Sequence, residues 1–360
     1  MTDPAISRRQ FSLWAAAFAS SAITAHAQIP ATQRPFLGDM HSHYGMFTPR
    51  PPGTIQLGDQ MRATGTTLLA WTIVDDSPWI TETPRGIKQK AQPGAGDLWA
   101  HFTRRVAGYD NALKIWKLPK ALTPVDVDAA LSGEQRVVMA SESANFLEAR
   151  PERVAEAHAM GLRHLQLVHY IDSPLGDRQT EAPALGKVPE VTLQVVAECK
   201  RLGILVDLAH STPESVDTIL GASDATVIWS HSYISRFGGS WKDRAYQARS
   251  LSPVQAGKIA ARGGVVGLWT VRVRGDSAYP VYSVSSYADE IARMVDLIGP
   301  DAVAFGTDME GTGRDPVMTN YNELREVAEN LARRGWPDTT LQKVCIGNYA
   351  RVLRKAMTST

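Results

Sequence analysis

Eight short, almost continuously apolar runs alternate with helix-patterned segments between Phe36 and Asp308. Runs of that kind are strands buried on both faces, and the alternation is that of repeated βαβ units. Six of the eight also finish on a histidine, glutamate or aspartate, and parallel barrels build their sites at the carboxyl ends of their strands. Together these observations predict an α/β fold, a (β/α)8 barrel of the TIM type with an inserted loop-helix segment and extra C-terminal helices. An open doubly wound sheet is the competing arrangement, because strand order is invisible in sequence. The gathering of polar residues at strand ends favours the barrel.

The barrel domain is expected over residues 28–360, behind a leader. Ser7-Arg8-Arg9-Gln10-Phe11-Ser12-Leu13 is a twin-arginine signature, followed by the apolar run Leu13 to Ile23 and by Ala25-His26-Ala27, a small-x-small cleavage pattern. A signal peptide over residues 1–27 and a periplasmic or secreted mature chain follow as expectations. The apolar run is shorter than the roughly 20 residues that span a bilayer, so no stable membrane anchor is expected in the mature chain. Composition is that of a soluble globular protein, with 360 residues, 44% hydrophobic and 21% charged. A formal net charge of +1 creates no field that would gather nucleic acid. Cys199 and Cys345 alone exclude a disulfide framework or a Cys-rich zinc site. Both read as buried thiols, with a single bridge the alternative in an oxidising compartment.

Taken in order, Phe36 to Tyr44 is the first strand, Leu57 to Thr64 a short helix and Thr66 to Val74 the second strand. Residues 75–119 break the rhythm with Pro78, Pro84, Pro93, Gly94 and Gly96 before a helical stretch from about Asp97 to Lys117. This segment reads as an insertion, a possible lid over one end of the barrel. Thr123-Pro124 opens a helix with an N-cap and Pro at the first turn, and Arg136 to Glu142 is the third strand. Leu162 to His169, Ile204 to His210, Thr226 to His231 and Gly264 to Thr270 follow as strands four to seven, each behind a helix. Ala302 to Asp308 is the eighth strand. Helices from Tyr321 to Arg334 and from Asp338 to Lys355 close the chain.

Residues i and i+2 of an extended strand point the same way, so His41 and His43 can present two imidazoles to one ion. Alone, a His-x-His carries little information. Its partners are Glu142, His169, His210, His231 and Asp308, each at a strand end. Nitrogen and carboxylate donors without thiols suit zinc, with manganese, iron or cobalt as substitutes. His41, His43, Glu142, His210 and His231 suffice for two metals about 3.5–4 Å apart if the carboxylate bridges them, sharing a hydroxide formed at neutral pH. Asp308 is placed to move that hydroxide's proton to a leaving group. His101, His158 and His164 read as structural or surface residues, and Glu310 as a solvated loop residue, with an inward-pointing carboxylate two residues beyond Asp308 the alternative. Trp71, Trp229 and Trp269 read as packing, with Trp269 near enough to a strand end to shape a pocket.

At these residues the chain resembles the membrane dipeptidase (renal dipeptidase) family of the amidohydrolase superfamily. The matching stretches are Gly38-Asp39-Met40-His41-Ser42-His43, the Glu142 strand, Gly161 to His169, Leu202 to Ser211, Val227 to Ser232, Arg249-Ser250-Leu251-Ser252, Gly306-Thr307-Asp308 and Gly347-Asn348. The resemblance implies a zinc-dependent dipeptidase acting on dipeptides or dipeptide-like compounds through a metal-bridging hydroxide, with two Zn2+ per chain. His41 and His43 would hold one zinc, Glu142 would bridge, and His210 and His231 would hold the other. Asp308 would be the acid/base, His169 would polarise the scissile carbonyl, and Arg249 would pair with the substrate carboxylate. The partners implied are a dipeptide-like small molecule and, as an open alternative, a second copy of the chain.

Two positions depart from that family. It usually carries His-x-Asp on the first strand where this chain has His43, and two glycines after the bridging Glu where this chain has Ser143-Ala144. Lactonase and phosphotriesterase types use His-x-His but bridge with a carboxylated lysine, and no lysine ends the fourth strand. A periplasmic metal-binding protein without catalysis is the third alternative. His43 in place of Asp removes one anionic ligand, which weakens metal retention. His43→Asp is therefore expected to hold metal roughly tenfold more tightly, read by competition with a chelator. Unaltered metal content, pH profile and substrate range would show that His43 does not tune the site.

Overall fold

In the chain's computed structural model, the described residues are 34–47, 55–84, 86–273, 276, 279, 281–313 and 315–358. The leader expected over residues 1–27 lies outside them. The strands are β1 (Leu37–Ser42), β2 (Thr66–Val74), β3 (Ile80–Thr83), β4 (Gly86–Gln89), β5 (Arg136–Glu142), β6 (Leu162–Gln166), β7 (Leu205–Asp207), β8 (Val227–Ser232), β9 (Val265–Leu268) and β10 (Val303–Phe305). β1, β2 and β5 to β10 pair in parallel in that order, while β3 and β4 form a separate antiparallel hairpin. The last barrel strand returns to the first. The His43 N–H donates to the Met309 carbonyl and the Asp308 N–H to the His41 carbonyl, both at 2.9 Å. The result is a nearly closed eight-stranded parallel barrel, as the apolar runs predict.

Continuous apolarity has its cause in this closure. All nine residues of β2 are buried, because one face meets the barrel interior and the other meets helices. Leu68 and Ala70 join Met40, Val138, Ala140, Leu205, Ile228, Val265 and Ala304 inside, whereas Leu69, Trp71 and Ile73 join the outer layer. Ile346, Tyr349 and Leu353 complete the inner cluster. The C-terminal helix Asn348–Thr358 packs against β1, β6, β7, β9 and β10, and Ile346 lies 3.3 Å from where a side chain on Gly38, at the start of β1, would begin. The amino end of the barrel is thus plugged. The carboxyl end is left for a site.

Three differences from the sequence expectation have physical causes. β6, β7 and β10 end three residues before His169, His210 and Asp308, so these side chains are carried by loops. His210 (φ 69°) and Asp308 (φ 53°) have left-handed backbones that no strand accommodates. Helix Asp338–Gln342 is separated from Asn348–Thr358 by a π-type turn, Lys343–Gly347. Asn348 just beyond it donates to the carbonyls of Pro300 and Val303 at 2.7 and 2.8 Å. The inserted segment holds the β3–β4 hairpin before its helix, Asp97–Trp116. Four-residue strands are too short to show as apolar runs.

Two buried aspartates lock the barrel wall. Asp39 accepts from the Thr307 N–H (2.9 Å), the Thr307 hydroxyl (2.6 Å) and the Tyr321 hydroxyl (2.8 Å), tying β1 to the loop after β10. Asp207 accepts from the N–H groups of Ala209 (2.9 Å) and Ser230 (3.0 Å) and lies 3.2 Å from His164 Nε2. It joins β6, β7 and β8, and His164 is structural as expected. Gly306 permits the close packing between them, since a Cβ there would fall 1.6 Å from the Ser230 carbonyl oxygen. Cys199 and Cys345 are buried free thiols. No helix of the described residues is long and apolar enough to cross a membrane.

Burial would raise the Asp207 carboxyl, but His164 beside it and the hydrogen bond from Ser230 bring it down to about 2. A carboxylate depressed on folding contributes stability above its unfolded value, here 3.8, and that contribution is lost as pH falls to about 2. Asp207→Asn should cost about 2 kcal/mol at neutral pH, the worth of a depression from 3.8 to about 2. In urea titrations its deficit against the unaltered protein should shrink between pH 4 and pH 2, roughly the interval between the two states. A deficit constant across that interval would refute this role.

Candidate metal centre and active site

Seven-residue registry between β2 and β5, from Leu68 opposite Arg136 to Val74 opposite Glu142, carries the Glu142 carboxylate to the carboxyl rim. There it is 4% exposed and ringed by imidazoles. Its Oε1 lies 3.5 Å from His41 Nε2, 3.3 Å from His169 Nε2, 3.2 Å from His210 Nε2 and 3.4 Å from His231 Nε2, and its Oε2 lies 3.1 Å from His43 Nε2. Asp308 Oδ1 is 3.3 Å from His43 Nε2. The residues singled out at strand ends therefore meet at one point.

Ring tautomers are set from outside the ring. His43 Nδ1 is 2.8 Å from the Thr72 carbonyl oxygen, which accepts only from a proton-bearing nitrogen and so leaves Nε2 as the nitrogen facing inward. Ser230 Oγ lies 2.8 Å from His231 Nδ1 and 3.3 Å from His41 Nδ1; a hydroxyl oxygen has two lone pairs and can serve both. His169 Nδ1 is 2.8 Å from Asp76 Oδ1, and Asp76 Oδ2 accepts from the Tyr170 N–H at 3.1 Å. Inward-facing Nε2 atoms with the other nitrogen hydrogen-bonded to a carbonyl, hydroxyl or carboxylate are the arrangement of metal-ligating histidines.

The electrostatics agree. Burial would raise Glu142, but His169, His41, His210 and His231 hold it well below the usual carboxylate range. Burial and His41 push His231 down to about 4, and burial with the Arg249 guanidinium keeps His210 well below its ordinary value. These two rings are neutral at pH 7, the form that ligates. Burial would lower His43, yet Asp308 and Glu142 raise it to about 10; those same two anions attract a cation of any kind. Burial would raise Asp308, whereas His43 and His231 lower it, leaving it ionised and able to accept a proton.

Ligand atoms within 4.8 Å of one another form three overlapping groups: His41 with Glu142 and His231, His41 with His43 and Asp308, and Glu142 with His169 and His210. The donor set fits divalent cations, and Glu142, with two carboxylate oxygens, suits adjacent positions. Asp308, read from sequence as catalytic, and His169, read as catalytic and substrate-binding, stand within the ligand groups. Arg249 is 2% exposed. Its Nη1 contacts His210 Nε2, its Nη2 lies 3.1 Å from His231 Nε2, its Nε donates to Gln179 at 3.3 Å, and its guanidinium lies 5.2 Å from the Trp269 ring centre. Trp269 thus lines the site as well as packing. A cavity of about 700 Å³ opens above, lined by Phe47, Ile80, Ile87, Tyr170, Tyr246 and Val271 alongside the polar groups.

The sequence model of the membrane dipeptidase family (peptidase family M19) matches residues 99–360. The chain belongs to that family. Over 210 residues this M19 member is 26% identical to Dipeptidase 3 of Rattus norvegicus, covering 55% of this chain and 40% of that protein. Over 229 residues it is 24% identical to Dipeptidase verJ of Clonostachys rogersoniana, covering 62% and 55%. The chain spans about half the length of these curated relatives. Its fold matches that of a metallo peptidase from Rhodobacter sphaeroides liganded with a phosphinate mimic of the dipeptide L-Ala-D-Ala, with a TM-score of 0.72 and 19% identity over 90% of this chain and 99% of that one. The dipeptidase AC, a metallo peptidase of family M19, gives 0.73 and 20% over the same shares.

Several site residues of this M19 member escape a sequence reading. Asp76 directly follows Asp75 beyond the last residue of β2, and the rule that polar residues at strand ends face the site would have found it. Glu310 lines the cavity and accepts from the Gly45 N–H at 2.8 Å, correcting its expected place on a solvated loop. Thr72 acts through its carbonyl, which no residue type reveals. Asp76→Asn keeps the size of the side chain but weakens its hold on His169. Activity is expected to drop about 10- to 100-fold, the usual cost of losing such an orienting partner, with unchanged circular dichroism; full activity would remove Asp76 from the site.

Proposed function

We propose that this M19 protein is an exported zinc dipeptidase that hydrolyses the amide bond of dipeptides or dipeptide-like compounds. One observation carries the proposal: five inward Nε2 atoms surround a single buried carboxylate at the open end of the barrel, with a buried guanidinium beside them. His41, His43, Glu142, His210 and His231 would hold two zinc ions. Bound there, the pair supplies Lewis acidity to the scissile carbonyl and brings water into its nucleophilic form at neutral pH.

The remaining steps belong to side chains. Asp308, ionised and within the cavity wall, takes the proton of the attacking water and returns it to the leaving amine. Burial would lower His169, but Asp76 and Glu142 raise it and favour the protonated ring, which donates its Nε2 proton toward the carbonyl oxygen as negative charge develops there. Arg249 turns its planar fork to the substrate's carboxylate, and its contact with Trp269 holds the stem in place. Tyr170 and the β3–β4 hairpin wall the cavity from the side, and residues 75–119 as a whole are proposed to act as a lid. Export rests on the twin-arginine signature and cleavage pattern of residues 1–27.

Elemental analysis of the purified protein should find two equivalents of zinc, and chelation should abolish dipeptide hydrolysis with recovery on adding zinc back. Asp308→Asn should lower kcat by roughly 10²- to 10⁴-fold, the range for a general acid/base, in preparations matched for zinc content. A metal-free preparation that hydrolyses dipeptides, or an Asp308→Asn protein of full activity, would overturn the proposal.

A further inference from the structure

Arg249 reaches His210, just beyond β7, and His231 on β8. In an eight-stranded barrel of this order β7 lies four places from β1 in either direction. A dipeptide with its carboxylate on Arg249 and its amide over Glu142 therefore projects its amino-terminal residue toward the loops after β1 and β10. Those loops carry His43 and Phe47 on one side and Asp308, Glu310 and Gly311 on the other, all in the wall of the same cavity.

Their chemistry is specific. Glu310 adopts a left-handed backbone (φ 66°), uncommon for a residue with a side chain, and its carboxylate is anchored by the Gly45 N–H. Gly311 leaves no room for a side chain, since a Cβ would fall 2.0 Å from Asp308 Oδ1 and 2.6 Å from His43 Cδ2. The Asp308 to Gly311 segment is thereby pressed against the centre, and Glu310 is held beside it. Phe47 is 47% exposed, with its ring 5.2 Å from the His43 ring. Ile80 of β3 and Ile87 of β4 contribute further apolar wall to the cavity. A large exposed aromatic at the mouth of a cavity suits an apolar group that enters with the ligand.

We propose that these loops form a subsite for the amino-terminal residue of the substrate, in which Glu310 holds a free α-ammonium and Phe47, Ile80 and Ile87 cover a bulky apolar side chain. The proposal rests on the dipeptidase function above. It narrows the substrate class to unblocked dipeptides whose first residue is large and apolar.

The test uses zinc-loaded protein with Phe-Ala, Gly-Ala and N-acetyl-Phe-Ala. The unaltered protein should prefer Phe-Ala to both others. Glu310→Gln should raise KM for Phe-Ala roughly ten- to a hundredfold, the worth of one charge-assisted hydrogen bond, while kcat/KM for N-acetyl-Phe-Ala stays unchanged. Phe47→Ala should erode the preference for Phe-Ala over Gly-Ala. Zinc content and melting temperature of both variants should match the unaltered protein. Equal losses on all three substrates, or a protein that accepts the acetylated substrate as readily as the free one, would overturn the subsite. Absence of any dipeptide hydrolysis by the unaltered protein would overturn the dipeptidase function and the subsite with it. That result is distinct from an active enzyme whose KM ignores Glu310.

Discussion

A carboxylate buried at the open end of the barrel, with imidazoles on all sides, sets the terms for everything around it. Glu142 keeps its negative charge only because His41, His169, His210 and His231 face it, since burial without partners would favour the neutral acid. Those rings come from β1, from β8 and from the loops after β6 and β7. The carboxylate therefore requires that the barrel be closed and its strands in register. Displacing any one of these elements would leave buried polar atoms without partners.

The wall answers with its own buried anions. Asp39 and Asp207 are not ligands, yet each lies two or three residues ahead of one, and each collects N–H donors from the neighbouring strand or loop. Position passes outward in this way from backbone to aspartate to histidine. Ser230 serves both layers, as its N–H goes to Asp207 and its hydroxyl meets the rings of His41 and His231. Rigidity at the rim follows from these links. It suits a centre whose side chains must stay within about 0.5 Å of their productive positions.

Backbone strain is concentrated at the same rim. His210, Asp308, Glu310 and Ser143 all have positive φ without being glycine, a conformation costing of order 1–3 kcal/mol each. His210, Asp308 and Glu310 thereby line the cavity just where the strands stop, while Ser143 accepts from the Asn145 N–H. The hairpin and Phe47 loop lie farther out, where Phe47, Ile80 and Ile87 face the cavity beside the Glu82 carboxylate. The inner rim thus gathers the candidate ligands, and the outer loops wall the cavity above them.

The amino-acid sequence by itself determined the barrel, because strands covered on both faces must be apolar throughout, and it determined the ligand candidates, because charge and imidazole are costly at buried strand ends without a purpose. His41, His43, Glu142, His210 and His231 were legible on that ground, and Arg249 only through family resemblance. The tertiary structure alone decided what holds those side chains in place. Asp76 meets His169 across 93 positions of chain, and the Thr72 carbonyl meets His43 across 29. Contacts between distant segments leave no periodicity, and a backbone carbonyl leaves no residue type to read. Glu310 shows the same limit: a carboxylate two residues beyond Asp308 could equally face water, and only its left-handed backbone and the Gly45 N–H turn it toward the cavity.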